Sequence, residues 1–358
     1  MVEKIRSLLL PIINSSTNFG AVRSFQSLCG VTEAGLPTFP VLHAFFSLAS
    51  SCGEENFFVL ALPTVLWVIG DGSLARAFIL FFCSTFYVGG LAKDLLRLPR
   101  PSCPPAIRME SHYSAEYGLP STHVMGSLLP LFLTLYYHGG WAATPLRHLG
   151  FCFFWTLSIA LSRLYLGVHS LPDLAAGVLL GGALLQPCLA SHCLDNFLLS
   201  NPLGTPAVLL LAALLLGIYP RPPHWTPSVG DTAVAVGSTT GVLLGLKFGQ
   251  NQDTGVYAAL EQSVWLRTSK RLEAGYSLND LGADARRCCF GLALLLAIRS
   301  FAKPALRKML RMAFRVPPER EDKDYRVDVP SKLVTYGLLG FAGAYTTPLI
   351  WWHLNWMQ

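Results

Sequence analysis

The sequence predicts an all-α fold, a polytopic membrane helix bundle with about nine transmembrane helices. The first observation behind this is composition, since 52% of the 358 residues are hydrophobic and only 13% are charged. Soluble domains carry roughly a quarter charged residues. The second is that the apolar residues lie in runs close to the ~20 residues that a helix needs to cross the hydrocarbon core. Backbone groups in lipid must pair within their own segment, so such runs favour helices.

The candidate spans divide the chain into three parts. We expect an N-terminal segment over residues 1–40 with no assigned role, a core over 41–200 that holds three polar motifs, and additional transmembrane helices over 201–358. The apolar run 41–49 is too short to cross a bilayer and favours an interfacial or re-entrant segment. The candidate spans, with ends defined to ~2–4 residues, are 55–70, 74–92, 120–138, 146–166, 171–190, 203–219, 230–248, 286–302 and 332–352.

Nothing in the remaining composition indicates a metal or a cofactor. The nine cysteines are scattered and lack the CxxC or Cys/His spacing of a zinc site. The polar connection 303–332 is rich in lysine and arginine, which the positive-inside rule places in the cytosol. It is read as a solvated loop, with an anionic-lipid site as the alternative. We therefore expect a lipid bilayer around the chain, no nucleic-acid partner, no metal and no cofactor.

The first polar motif stands at the end of the second candidate span. Lys93 is followed, after six residues, by Arg100 and Pro101. Two fixed cations at a membrane edge suit an anionic ligand. The alternative is that they are ordinary basic residues that flank a span and extend toward water.

The second motif, Pro120-Ser121-Thr122-His123, directly precedes an apolar run. Proline favours a first helical turn, and the backbone N–H groups of residues 121–123 would point out of a helix N-terminus, which attracts phosphate. The Ser121 hydroxyl adds a donor, and His123 can exchange a proton near neutral pH. The alternative is a Ser/Thr helix cap beside an incidental histidine.

The third motif runs from Ser162-Arg163 to His169 and Asp173, between the fourth and fifth candidate spans. Residues four apart share a face of a helix, so the carboxylate of Asp173 can hold one imidazole nitrogen of His169. The other nitrogen is then presented as a nucleophile. The alternative is a structural His–Asp pair at a helix start. Counting crossings places all three motifs on one side of the membrane, where together they fit a dianionic phosphate.

These three motifs resemble the signature of the type 2 phosphatidic acid phosphatase superfamily, which includes lipid phosphate phosphatases and glucose-6-phosphatases. The resemblance implies hydrolysis without a metal. His169 would attack phosphorus and form a phosphohistidine, Asp173 would orient it, and His123 would protonate the leaving alkoxide and help to activate water. The positions that the resemblance assigns to phosphate binding are Lys93, Arg100, Arg163, Ser121 and Thr122.

Within the superfamily, the Pro-Ser-Thr-His form and residues 93–105, 113–125, 230–245 and 325–340 resemble the sphingosine-1-phosphate phosphatases of the endoplasmic reticulum. This implies a multi-pass protein of that membrane acting on sphingosine 1-phosphate and related long-chain base 1-phosphates. A broad-specificity lipid phosphate phosphatase, a glucose-6-phosphatase-like enzyme and a non-enzymatic transporter remain the alternatives. One conflict concerns orientation. The span count places 303–332 on the side of the motifs, whereas the resemblance implies a lumenal site and the charge rule a cytosolic loop.

Overall fold

The computed structural model describes residues 2–69, 72–110, 115–194, 196–251 and 278–356. Within these ranges the regular structure is helical, apart from one isolated β-bridge between Val31 and Pro37. The predicted all-α fold is therefore confirmed. The α-helices of the described residues are, in chain order, α1 (Val2–Ile13), α2 (Ser16–Leu28), α3 (Pro40–Ser51), α4 (Glu55–Ile69), α5 (Gly72–Leu96), α6 (Thr122–Gly126), α7 (Leu129–His138), α8 (Leu146–Tyr165), α9 (Leu171–Leu189), α10 (Gly204–Ile218), α11 (Pro227–Asn251), α12 (Leu278–Phe314), α13 (Tyr325–Phe341) and α14 (Thr347–His353).

Several of these helices can cross a membrane by length and composition. Among the described residues five segments qualify, namely Ser73–Leu96, Leu171–Leu194, Pro227–Gly249, Leu281–Phe314 and Tyr325–His353. Helix α10 is apolar but shorter. A membrane protein with several spanning helices is thus confirmed, whereas the count of nine spans stays a prediction.

The candidate span 120–138 consists of two helices rather than one. Helix α6 ends at Gly126 and α7 begins at Leu129. Pro130 has no backbone N–H to donate to the carbonyl of Gly126, so one continuous hydrogen-bond ladder cannot form here. The break leaves α6 as a short separate piece that carries His123. The run 41–49 lies within another helix, α3.

The basic stretch 303–332 is also more helical than a solvated loop would be. Helix α12 continues to Phe314, and α13 starts at Tyr325. Lysine and arginine are good helix formers, and this favours continuation of the helix beyond its apolar part. Arg307 pairs with Asp322 and with Asp328, the latter at 3.1 Å. The connection between the two helices is therefore held by ion pairs.

The described residues form two compact units. One comprises Met1–Phe57, Ser84–Leu189 and Pro220–Asp231, and the other comprises Phe58–Cys83, Ala190–Tyr219 and Thr232–Gln358. All residues of the three motifs lie in the first, which we call the motif unit. In the second unit, Trp67 donates a hydrogen bond to the carbonyl of Gly343 at 2.9 Å. The functional division at residues 40 and 200 stays a prediction.

The N-terminal helices belong to the core of the motif unit. Gln26 on α2 is fully buried, and its amide donates to the carbonyls of Ile107 at 2.6 Å and Tyr165 at 3.0 Å. Its carbonyl accepts the N–H of Ile107 at 2.9 Å. Phe46 on α3 stacks on Tyr165 with ring centroids 4.8 Å apart. The segment 1–40 therefore joins the connection after α5 to the end of α8, from which the third motif begins.

Candidate active site

Lys93 fixes one cation at the end of α5. It lies in the last turn of the helix, and its side chain is 1% exposed. Its ammonium lies 2.7 Å from Glu116 Oε1 and 3.3 Å from Thr122 Oγ1. Burying an ammonium costs free energy unless anionic or polar partners compensate for the lost water. Lys93 and Thr122, both predicted phosphate ligands, are thus in direct contact.

Arg100 connects the first motif with the third. Helix α5 ends at Leu96, and Arg97 adopts a left-handed conformation with φ of 52°, a common way to terminate a helix. Arg100 follows in the extended chain. Its Nη1 donates to the carbonyl of Val168 at 2.7 Å and lies 3.1 Å from Nε2 of His169. Its Nη2 donates to Glu116.

His169 lies between the carboxylate of Asp173 and the guanidinium of Arg100. Its Nδ1 lies 3.5 Å from Oδ2 of Asp173, which in turn accepts the N–H of Ser170 at 2.8 Å. Both side chains are buried, at 1% and 0% exposure. Since Nδ1 faces the carboxylate and Nε2 faces Arg100, Nε2 is the nitrogen directed at the cations. The four-residue spacing predicts this proximity, but His169 precedes α9 and only Asp173 lies on it, and among the described residues Nδ1 has no hydrogen-bond partner.

The electrostatic surroundings keep His169 uncharged. Burial lowers its pKa well below the usual range, and the positive charges of Arg100, Arg163 and Lys93 lower the pKa further. An imidazole with a depressed pKa is neutral at neutral pH, so its Nε2 lone pair is available for attack on an electrophile.

Arg163 and His123 approach the same centre from two other helices. Arg163, in the last turn of α8, is fully buried and donates to the Ser50 hydroxyl. It also lies 3.7 Å from Glu110 Oε2. His123, on α6, is 8% exposed. The charges of both residues act on the pKa of His169, which places them within electrostatic reach of the nucleophile.

Ser121 differs from the expectation in one respect. Its backbone N–H donates to the carbonyl of Asp173 at 3.0 Å, so this group is not directed at an anion. Its hydroxyl is buried and, among the described residues, has no hydrogen-bond partner. The hydroxyl therefore remains a candidate donor to a ligand, while the backbone N–H instead fixes the start of α6 to that of α9.

Two features of the site involve residues that the three sequence motifs do not predict. Glu116 contacts both Lys93 and Arg100. Burial alone would raise the pKa of Glu116, but the charges of Lys93 and Arg100 outweigh it and hold the pKa at about 2. The only sequence signal for this residue is its position just before the Pro-Ser-Thr-His motif, between two cationic segments.

The second feature is a pair of hydrogen bonds to Asp94, the residue that follows Lys93. Asp94 is fully buried and accepts hydrogen bonds from Thr226 at 3.2 Å and Ser228 at 2.8 Å. These two residues lie outside the predicted core of 41–200. The end of α5 is therefore positioned by a part of the chain that follows α10.

The family of this part of the chain follows from comparison with known proteins. Residues 74–195, which include all three motifs, match the model of the PAP2 superfamily. This segment belongs to the PAP2 superfamily. No solved structure matches the chain.

The similarity to individual known proteins extends beyond the PAP2 segment and covers most of the chain. Sphingosine-1-phosphate phosphatase 1 of Rattus norvegicus is 29% identical over 86% of this chain and 71% of its own length. Sphingosine-1-phosphate phosphatase 2 of Mus musculus is 28% identical over 95% of this chain and 97% of its own length. A dihydrosphingosine 1-phosphate phosphatase of Schizosaccharomyces pombe is 26% identical over 90% of this chain and 76% of its own length.

Proposed function

We propose that this chain is a lipid phosphatase of the endoplasmic reticulum membrane, which hydrolyses sphingosine 1-phosphate and related long-chain base 1-phosphates to the free base and inorganic phosphate. The observation that carries the proposal is the position of His169, with Nδ1 at 3.5 Å from Asp173 and Nε2 at 3.1 Å from Arg100. The PAP2 match and the similarity to three phosphatases named for long-chain base phosphates support the substrate class.

The proposed reaction has two steps. In the first, Nε2 of His169 attacks phosphorus, the bond from phosphorus to the ester oxygen breaks, and His123 gives a proton to the departing alkoxide. In the second, His123 takes a proton from water, which attacks the phosphohistidine and releases inorganic phosphate. Asp173 holds Nδ1 in both steps and stabilises the charge that the imidazole acquires.

The cations supply most of the stabilisation in this proposal. Uncatalysed hydrolysis of phosphate monoesters is so slow that the site must lower the barrier by on the order of 20 kcal/mol. Lys93, Arg100 and Arg163 are buried in fixed positions, so they need no reorganisation when charge develops on the phosphoryl oxygens. The buried hydroxyl of Ser121 adds a neutral donor.

Phosphate release from a panel of substrates in detergent, with EDTA present, tests this proposal. We expect turnover of sphingoid base phosphates to exceed that of glycerolipid phosphates and of glucose 6-phosphate. Arg163→Ala should abolish turnover, whereas Arg147→Ala, at the exposed opposite end of the same helix, should retain it. Equal or better turnover of glucose 6-phosphate would overturn the substrate class, and an active Arg163→Ala enzyme would overturn the phosphate site.

A further inference from the structure

The carboxylate of Glu116 occupies the place of an anionic ligand. Its Oε1 lies 2.7 Å from the ammonium of Lys93, and its Oε2 accepts from Arg100. The side chain is 8% exposed. Two oxygens on one atom, bound to two cations, have the same pattern of contacts as two oxygens of a phosphoryl group.

Glu116 cannot stay in this position when a substrate phosphate binds. A phosphate dianion on Lys93 and Arg100 would meet the carboxylate at short range, and like charges in a buried site repel strongly. Protonation does not remove the negative charge of Glu116 at neutral pH, because its pKa is held at about 2. The carboxylate must therefore leave the two cations and find another positive partner within reach.

The distance that the Glu116 carboxylate can move is short. The backbone near Glu116 is fixed by the N–H of Gly118, which donates to the carbonyl of Leu98 at 2.9 Å, and by the N–H of Ser121, which donates to Asp173. The freed carboxylate thus stays within about one side-chain length of the phosphate. A buried carboxylate that loses its cations is strongly destabilising unless another positive group replaces them.

We propose that Glu116 is the specificity-determining residue of this enzyme, and that it selects phosphate monoesters which carry an ammonium group next to the phosphorylated carbon. The phosphate displaces the carboxylate from Lys93 and Arg100, and the carboxylate then pairs with the substrate's ammonium. Every charge has a partner before and after the exchange. This inference rests on the proposed function, since long-chain base 1-phosphates carry such an amine.

The test compares two substrates that differ in the amine alone. Values of kcat/KM are measured in mixed micelles for sphingosine 1-phosphate and for its analogue in which a hydroxyl replaces the amine and the rest of the lipid is unchanged. We expect the wild-type enzyme to prefer the amine. Glu116→Gln should reduce this preference by on the order of 10- to 100-fold, as expected for one charge-assisted contact. In Glu116→Gln, kcat/KM should fall for the substrate with the amine, while kcat/KM for the hydroxyl substrate is maintained or rises.

Glu110→Gln is the matched control. It removes the same charge from the same connection, but Glu110 contacts Arg163 at 3.7 Å rather than Lys93 and Arg100. Its substrate preference should equal that of the wild type. An equal loss of preference in both variants would assign the effect to net charge and overturn the proposal. An equal fall in kcat/KM for both substrates in Glu116→Gln would make Glu116 a positioning residue. That result would also overturn the proposal.

The wild-type enzyme gives a test that does not depend on any variant folding. If it hydrolyses both lipids without preference for the amine, the role of Glu116 is wrong while the proposed phosphatase function stands. If it hydrolyses neither, the proposed function itself fails. Glu116→Asp keeps the charge on a shorter side chain, and it should retain part of the preference that Glu116→Gln loses.

Discussion

At the scale of single residues, the two nitrogens of His169 have opposite surroundings. Asp173 faces Nδ1 at 3.5 Å, and Arg100 faces Nε2 at 3.1 Å. In the sequence, the position four residues after His123 is Ser127 rather than an acidic residue, and His123 lies on the short helix α6. The two histidines therefore differ in the job that each can perform, His169 as nucleophile and His123 as proton donor.

This difference predicts that the two histidine variants fail at different steps. His169→Ala should form no phosphoenzyme with any substrate. His123→Ala should lose far more activity on an alkyl phosphate than on p-nitrophenyl phosphate, because nitrophenolate leaves without needing a proton. Rapid quench into alkaline detergent with radiolabelled phosphate esters measures both steps, because the P–N bond of a phosphohistidine is stable in base and labile in acid. A phosphoenzyme that persists in His169→Ala but vanishes in His123→Ala would reverse the two roles.

The four-residue spacing predicts that His169 and Asp173 lie close together, whereas no sequence motif predicts the contacts of Glu116. A separation of four residues brings two side chains together on a helix, and here the proximity holds although His169 precedes α9 and only Asp173 lies on it. Glu116 meets Lys93 and Arg100 across 23 and 16 residues. Contacts of this kind depend on how the chain returns after α5, which no local pattern encodes.

At the scale of elements, the close approach of α9 to α6 positions the second motif. A Cβ atom added at Gly177 on α9 would lie 2.8 Å from the carbonyl oxygen of Ser121 and 3.1 Å from Cβ of Val124. The absence of a side chain at this glycine is thus what allows α6 to lie against α9. The break between α6 and α7 makes α6 a short piece, whose position depends on this packing.

Substitution of Gly177 should therefore impair catalysis without touching a catalytic residue. In Gly177→Ala the new methyl group pushes against the start of α6 and shifts Ser121 and His123, and such small misplacements cost up to about 100-fold in rate. Gly182→Ala on the same helix is the control, because nothing lies within 4 Å of a Cβ there. The measurement is kcat/KM with thermal unfolding in detergent, and equal activity of the two variants would contradict the packing argument.

At the scale of the whole molecule, residues far from the motifs support the site. Gln26 on α2 binds the connection at Ile107 and the end of α8 at Tyr165. Thr226 and Ser228, which follow Asp94 by 132 and 134 residues, donate hydrogen bonds to its carboxylate. Periodicity and hydropathy were enough to predict a helical membrane protein. They left residues 1–40 without a role because single buried polar contacts such as those of Gln26 leave no periodic signal.

The contact of Thr226 and Ser228 with Asp94 also bears on membrane orientation. Because residues 226 and 228 contact the end of α5, we count the apolar helix α10 as one crossing after α9. Helices α11 and α12 each add a crossing by length and composition. The sequence 252–277 between them has six charged residues and no uncharged run longer than seven residues, which is too short for a further span. On this count of crossings along the sequence, we expect the basic stretch 303–332 and the three motifs on the same side of the membrane, as the candidate spans also predict.

We therefore predict that Cys103, exposed in the connection that carries Arg100, and the cysteine introduced by Glu319→Cys face the same side of the membrane. Sealed microsomes are treated with a membrane-impermeant maleimide before and after addition of detergent, and peptide mapping separates the labelled positions. Both sites should react under the same condition. Labelling of both before detergent would make the active site cytosolic, in accord with the positive charge of 303–332. Labelling of one site before detergent and of the other only afterwards would contradict this count of crossings and require a further crossing between α11 and α12.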